Sequence, residues 1–192
     1  EDRVKNFSII ALTFSTSGFL GPVITGFAID WIGYRATFLL LAGSALAALA
    51  VLLAKPHDIP QQPHAEAQDR KKRMADLLRT PTMRRVFIVS GTLSMSWDLF
   101  NFVVPIHGSQ IGLSASQIGL LLGMFGVAVF VVRLLLPLIA HRLTEWQMLI
   151  FATMVTGTGF FVFPLVHTVP VLMLFSFILG AGFGGAQPMI MS

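Results

Sequence analysis

The sequence predicts an all-α membrane protein with six transmembrane helices, and three observations carry that expectation. Of 192 residues, 55% are hydrophobic and 11% charged, against about 25% charged in ordinary soluble domains. There are too few charges to cover a water-facing surface. The apolar residues fall in six long runs almost free of charge, and the basic residues gather on one side of those runs.

A helix needs about 20 mainly apolar residues to cross a hydrocarbon core about 30 Å thick. The first run, Phe7 to Ile29, carries no charge. It exceeds the core of a signal peptide, about 7–15 residues, and its flank mixes Glu1 and Asp2 with Arg3 and Lys5, so it reads as a span. The second runs from Ala36 to Ala54. Val86 to Ile106 is interrupted only by Asp98, and Ile118 to Ala140 only by Arg133. The fifth covers Met148 to Val166, and the sixth runs from about Val169 to Ser192. The chain opens without Met and stops in or just after an apolar helix, so it is expected to be an internal piece of a longer protein.

Orientation follows from Lys and Arg, which are retained on the cytoplasmic side in short loops. With six spans, eleven of the thirteen basic residues fall on one side; Arg35 faces the other and Arg133 lies within a span. Phe7 is therefore expected inside and Ile29 outside. Eight of the basic residues lie between Lys55 and Arg85, a connection that divides the chain into two spans and four. Its first part holds Pro56, Pro60 and Pro63 and cannot continue a helix. In its second part Met74, Leu77 and Leu78 stand at helical spacing among Arg70 to Arg79, the pattern of a short amphipathic helix on the membrane surface. The Arg70-Lys71-Lys72-Arg73 run reads as a topology anchor drawn to anionic lipid. Nucleic-acid binding is not expected, because the positive charge sits in one stretch and does not cover a folded face.

Two charges fall within spans, where each costs at least about 2.5–3.5 kcal/mol on insertion scales and marks a functional hypothesis. Asp98 lies about 18 Å, and Arg133 about 10 Å, from the cytoplasmic ends of their spans. An Asp98–Arg133 pair, direct or through water, fits those heights. Ser94, Asp98, Asn101 and Pro105 share one helical stripe, which should face a water-filled cavity. Asp98 has two readings: a group that binds a proton or attracts a cationic substrate, or a structural carboxylate paired with Arg133 or capping a broken helix. Arg133 could equally snorkel to phosphate or hold a backbone carbonyl. Trp97 reads as packing or cavity wall as well as a substrate stacker.

No catalytic residue, cofactor or metal is expected. Zero cysteines remove thiol chemistry and Cys-ligated zinc. His107 and His141 sit at opposite membrane edges with no second ligand nearby in sequence. Gly180 to Gly185 invites a nucleotide-loop reading, but such a loop follows a strand and opens a helix in water. Within an apolar segment, close packing and a flexible stretch before Pro188 fit better. An intramembrane enzyme would need a nucleophile and base among Asp98, Arg133, Asn101, Gln187 and scattered hydroxyls; no His-x-x-x-His or Gly-x-Ser-x-Gly occurs.

Pro22 should kink the first span, and Gly18, Gly21 and Gly26 should admit a close neighbour. Gly21-Pro22 followed by Gly26 resembles the helix-five motif of the major facilitator superfamily (MFS), with Thr25 in place of the first Gly of a pair and Ser17 where Gly is usual. Asp30, Gly33, Tyr34, Arg35 and Phe38 resemble the outer turn that follows in that family. At the junction Pro137 to Arg142, where a repeated cytoplasmic motif falls, only Arg142 matches.

The resemblance implies part of a twelve-helix, two-bundle fold, covering helices five to ten. Residues 1–54 would be the last two helices of the N-terminal bundle, 55–85 the cytoplasmic basic inter-bundle loop, and 86–192 the first four helices of the C-terminal bundle. The third and sixth spans would line the cavity, bringing Asp98 and Asn101 beside Gln187, with the second and fifth as outer scaffold. The implied function is secondary transport of a small molecule by alternating access, coupled to protons, with a lean to export from the helix-five motif. The implied location is a bacterial inner membrane. The partners are substrate, protons, lipid and the remaining helices of a longer chain. The alternative is a non-transporting membrane protein, a receptor or an assembly subunit.

Overall fold

The computed structural model describes residues 2–54, 81–139 and 145–190, with side chains over 13–54, 83–85, 87–135 and 146–185. The amphipathic helix expected over 70–79, the His141-Arg142 junction and the side chains of Gln187 and Pro188 lie outside the described residues. Among the described residues all regular structure is helical.

Helix α1, Asp2–Ala54, is broken at Gly33 (φ 80°, ψ 165°). Only glycine takes that left-handed backbone without strain. The apolar stretch Thr13–Ala54 is 42 residues long, about 63 Å of helix or twice a hydrocarbon core. The break therefore divides it into the two spans expected from the sequence. The outer connection differs from the expected turn over Asp30 to Arg35, because only Gly33 leaves the helical conformation. The Thr37 hydroxyl donates to the Gly33 carbonyl at 2.9 Å and steadies the joint.

Helix α2 is Pro81–Gln110 and starts five residues ahead of the expected span. Pro81 opens it where a missing donor costs nothing. It ends in a Schellman motif: Leu113 N–H donates to the Gly108 carbonyl at 2.9 Å and Gly112 N–H to the Ser109 carbonyl at 3.2 Å, with Gly112 at φ 78°. Helix α3, Ala115–Ile139, starts with a capping box. The Ser114 amide donates to Gln117 Oε1 at 3.0 Å, and the Gln117 amide donates to Ser114 Oγ at 3.3 Å. Helix α4, Glu145–Val162, passes into a 3₁₀ turn, Phe163–Leu165, ended by extended Val166 (φ −99°, ψ 131°). Helix α5 is Val169–Ile190.

Helix α3 stands at the centre, with α1 on one side and α5 on the other; α4 packs on α5, and α2 lies across α3 and α5. The core is apolar and aromatic: Phe100, Val104, Leu121, Phe125, Leu179 and Phe183 are buried. Phe100 stacks on Phe125 at 4.3 Å. The glycines of α5 are all helical and fit against two neighbours. A Cβ at Gly184 would stand 3.0 Å from Val129 Cα of α3, and one at Gly182 would stand 3.2 Å from Val155 Cγ1 of α4. Tight packing on both sides takes the place of a nucleotide loop, and the helix runs unbroken to Ile190 where flexibility was expected ahead of Pro188.

Outward surfaces are apolar, as lipid-facing helices require. Phe38 to Ala54 are exposed throughout, and α4 turns Phe151, Met154 and Phe161 outward. Gly33, the turn after α2 and the turn after α4 gather at one end of the bundle, called the Gly33 end below.

Candidate functional site

Three faces run along α2. Leu93, Phe100 and Val104 enter the core, while Met95, Leu99, Phe102 and Ile106 form an exposed apolar row. Between them runs the polar stripe of Ser94, Asp98 and Asn101, all exposed. The Asn101 amide donates to the Trp97 carbonyl at 2.9 Å, within its own helix. Among the described residues no hydrogen bond or ion pair reaches the Asp98 carboxylate. Trp97 turns away from the stripe. Its ring meets Phe125 edge-on at 4.9 Å and Phe183 at 5.7 Å, so it forms the wall behind Asp98.

Two turns toward the Gly33 end, the stripe reaches Pro105 and Ser109, which line a cleft of about 440 Å³. Pro22, Thr25 and Tyr34 of α1 form its opposite wall, and Ala115, Gly119 and Leu122 of α3 its floor. A space of this size suits a small molecule. The Pro22 to Gly26 stretch of α1 and the polar helix thus face one cleft, each presenting a proline whose ring removes a backbone donor.

The seam between α1 and α3 is built on glycine. At Gly119 a Cβ would press on the Pro22 carbonyl and stand 3.2 Å from Gly26 Cα, and at Gly126 it would stand 2.8 Å from Phe19 Cα and 2.9 Å from the Gly18 carbonyl. Of the glycines singled out in the first span, Gly26 is buried in this seam and Gly18 enters by its carbonyl, whereas Gly21 has open space around it. Sequence reasoning missed the partner row Gly119, Gly123 and Gly126. Its i, i+4, i+7 spacing on an apolar helix was the available signal.

Polar clasps close the seam near each end. Asp30 reaches across from α1 and accepts from the Ala115 amide at 3.2 Å and the Ser116 amide at 2.8 Å. A carboxylate there satisfies orphan donors and meets the positive end of the α3 dipole. Asp30 lies in the connection between the two spans of α1. Hydrogen bonding from Ser116, side chain first and then backbone, holds its carboxyl below the ordinary carboxylate range. Farther from the Gly33 end, Arg133 Nη1 of α3 donates to Ser15 Oγ of α1 at 3.1 Å. That contact stands where an Asp98 pair had been one of the expectations, and no ion pair joins the two among the described residues. Ser15 and Arg133 are 118 positions apart, beyond any local sequence signal.

One further polar grouping escaped the sequence. His107, near the end of α2, lies with its ring centroid 6.2 Å from that of His167, in the turn before α5. Among the described residues no group of three or more His, Cys, Asp or Glu is placed to hold a metal ion.

Among the described residues, α2 thus carries an exposed carboxylate with no bonded partner, with a cleft toward the Gly33 end and a glycine seam beside it. Comparison with curated proteins and with solved structures returned no match. The family profile described as Major Facilitator Superfamily matches residues 1–192. The chain is a membrane transporter belonging to the major facilitator superfamily, whose members move small molecules across the membrane.

Proposed function

We propose that the chain works by alternating access, two helix bundles rocking about a central path, with the α2 face of Ser94, Asp98 and Asn101 turned to that path. In this reading residues 1–54 are the last two helices of one bundle, 55–85 the cytoplasmic connection, and 86–192 the first four helices of the other. The observation that carries it is the continuity of the polar stripe with the cleft, because that cleft lies between α1 of the first bundle and α2 and α3 of the second. Trp97 backs the stripe, Arg133 links the bundles through Ser15, and Gln187 of α5 is assigned to the same cavity on the family resemblance.

Asp98 takes the coupling role. An unpaired carboxylate at that depth is tolerated when it meets water or carries a proton, and alternation between the two moves a proton with each cycle. The partial Gly21-Pro22 motif favours export, and the basic charge of residues 55–85 supports a cytoplasmic loop in a protein of a bacterial inner membrane.

The test is Asp98→Asn in the full-length protein reconstituted in vesicles. Uphill, gradient-driven transport is expected to vanish while downhill exchange stays measurable, since exchange needs no change of protonation. Undiminished uphill transport by the variant would remove Asp98 from the coupling step.

A further inference from the structure

The histidine pair at the Gly33 end joins parts of the chain that are 60 positions apart, and its surroundings are those of a ligand set. His107 Nε2 lies 3.3 Å from the Val166 carbonyl. A carbonyl can only accept, so this nitrogen carries the proton and the lone pair of the neutral ring falls on Nδ1. That is the arrangement that readies an imidazole for a metal: one ring nitrogen donates to a backbone carbonyl, fixing tautomer and orientation, and the other coordinates. The Phe163 ring, edge-on at 5.8 Å, limits the rotation of His107. His167 directly follows Val166 in the chain, so the turn that orients the first imidazole also carries the second. That turn is short and defined, closed by the Val166 amide donating to the Phe163 carbonyl at 3.2 Å.

We propose that His107 and His167 form a two-imidazole site for a divalent transition ion of the Zn²⁺ or Cu²⁺ type. The distances allow it. With Zn–N bonds of about 2.0–2.1 Å, each ring centroid lies about 3.2 Å from the ion, and a tetrahedral pair of rings has its centroids about 5.2 Å apart. The observed 6.2 Å closes by about 1 Å through side-chain rotation of His167, which is exposed. Imidazole selects zinc, copper and nickel over magnesium and calcium, which take oxygen ligands. Water completes the coordination on the exposed side. The bound ion staples the end of α2 to the turn between α4 and α5, and so holds the helix that carries Asp98 at one end. The site is independent of the transport reading.

The experiment titrates Zn²⁺ into the purified full-length protein by calorimetry at neutral pH, with His57, His64 and His141 replaced by Gln to remove the chain's other imidazoles. One ion per chain is expected, with affinity reduced at least tenfold in His167→Ala and in His107→Gln. Since Gln retains a donor for the Val166 carbonyl, His107→Gln separates metal ligation from support of the turn. With Cu²⁺ as probe, electron paramagnetic resonance should show coupling to two nitrogens in the parent and to one in each single variant. Equal Zn²⁺ affinity in the parent and in His167→Ala, which alters an exposed side chain, would overturn the site, as would a one-nitrogen copper signal in the parent.

Discussion

Helix α3 makes two seams, both with glycine at the closest approaches, that differ in which helix supplies the glycines and in what surrounds them. Toward α5 it presents Phe125, Ala128 and Val129, against which Gly180 and Gly184 of α5 lie closely, and Phe125 joins an aromatic core with Trp97, Phe100 and Phe183 in which rings interlock at 4.3 to 5.7 Å. Toward α1 it presents Gly119, Gly123 and Gly126, which lie against the Pro22 carbonyl, the Val23 side chain and Phe19, and the Phe19 ring meets Phe130 edge-on at 6.1 Å. The first seam is held by shape: side chains of many sizes fit one another in a single register, and sliding would open voids. The second is smoother on the α3 side, where glycine stands at three successive contacts, and Asp30 near one end and Arg133 near the other bond across it. A smooth seam with clasps near its ends separates the two functions of an interface, contact and locking. In the proposed two-bundle reading the interlocked seam lies within a bundle, where rigidity is needed, and the smooth one lies between bundles, where motion is needed.

The contrast is best tested first where the effect is largest. Phe100 is fully buried, stacked on Phe125 and edge-on to Phe163, so Phe100→Ala should cost about 3–5 kcal/mol by removing apolar contact and leaving a cavity. Thermal unfolding in detergent would read this as a lowered midpoint, and an unchanged midpoint would contradict an interlocked core. A smaller effect is expected on the smooth seam. Gly119→Val drives a side chain into the Pro22 carbonyl and should cost about 1–3 kcal/mol, as overpacking does. Gly21→Val, on the open side of α1, serves as the control, and equal losses in the two variants would mean that the seam is not where close approach matters.

The smallest effect belongs to Asp30. Its folded value lies below the ordinary one, so the clasp is fully present above the ordinary carboxylate range and is lost as pH falls through the folded value. Hydrogen exchange at the Ala115 and Ser116 amides, corrected for intrinsic rates, should show protection at neutral pH that declines only in acid below that range. In Asp30→Asn the acid dependence should be absent. Protection that fades between pH 7 and 5 would point to a different group.

Hydropathy made the crossing segments legible, since a charge-free run of that length has few other fates. It also marked the polar stripe of α2, because Ser94, Asp98 and Asn101 stand out against an apolar background at helical spacing. Which helix lies beside which was harder to read. In lipid the outward and inward faces of a span are both apolar, so periodicity that would reveal a buried face in water is weak. The neighbours of α3 were encoded in glycine spacing instead, and Gly119, Gly123 and Gly126 passed unnoticed beside the better-marked Gly21-Pro22. Arg133–Ser15 and His107–His167 depend on that lateral order and could not be read before it was known. Capping chemistry, by contrast, was local: Ser114 and Gln117 stood at box spacing, and Gly112 just ahead of them provided the helix stop.

The joint at Gly33 also bears on the protein's depth in the bilayer. Trp31 and Tyr34 flank it, 84% and 65% exposed, and amphipathic rings of this kind settle in the headgroup layer. Both arms of α1 therefore leave one anchored point. When acyl chains lengthen or shorten, the mismatch cannot be shared equally between the two leaflets, because this end is moored by its aromatic pair. Tilt and local thinning are displaced to the far ends of the arms, and lipid thickness acts there as a variable on how the two arms splay.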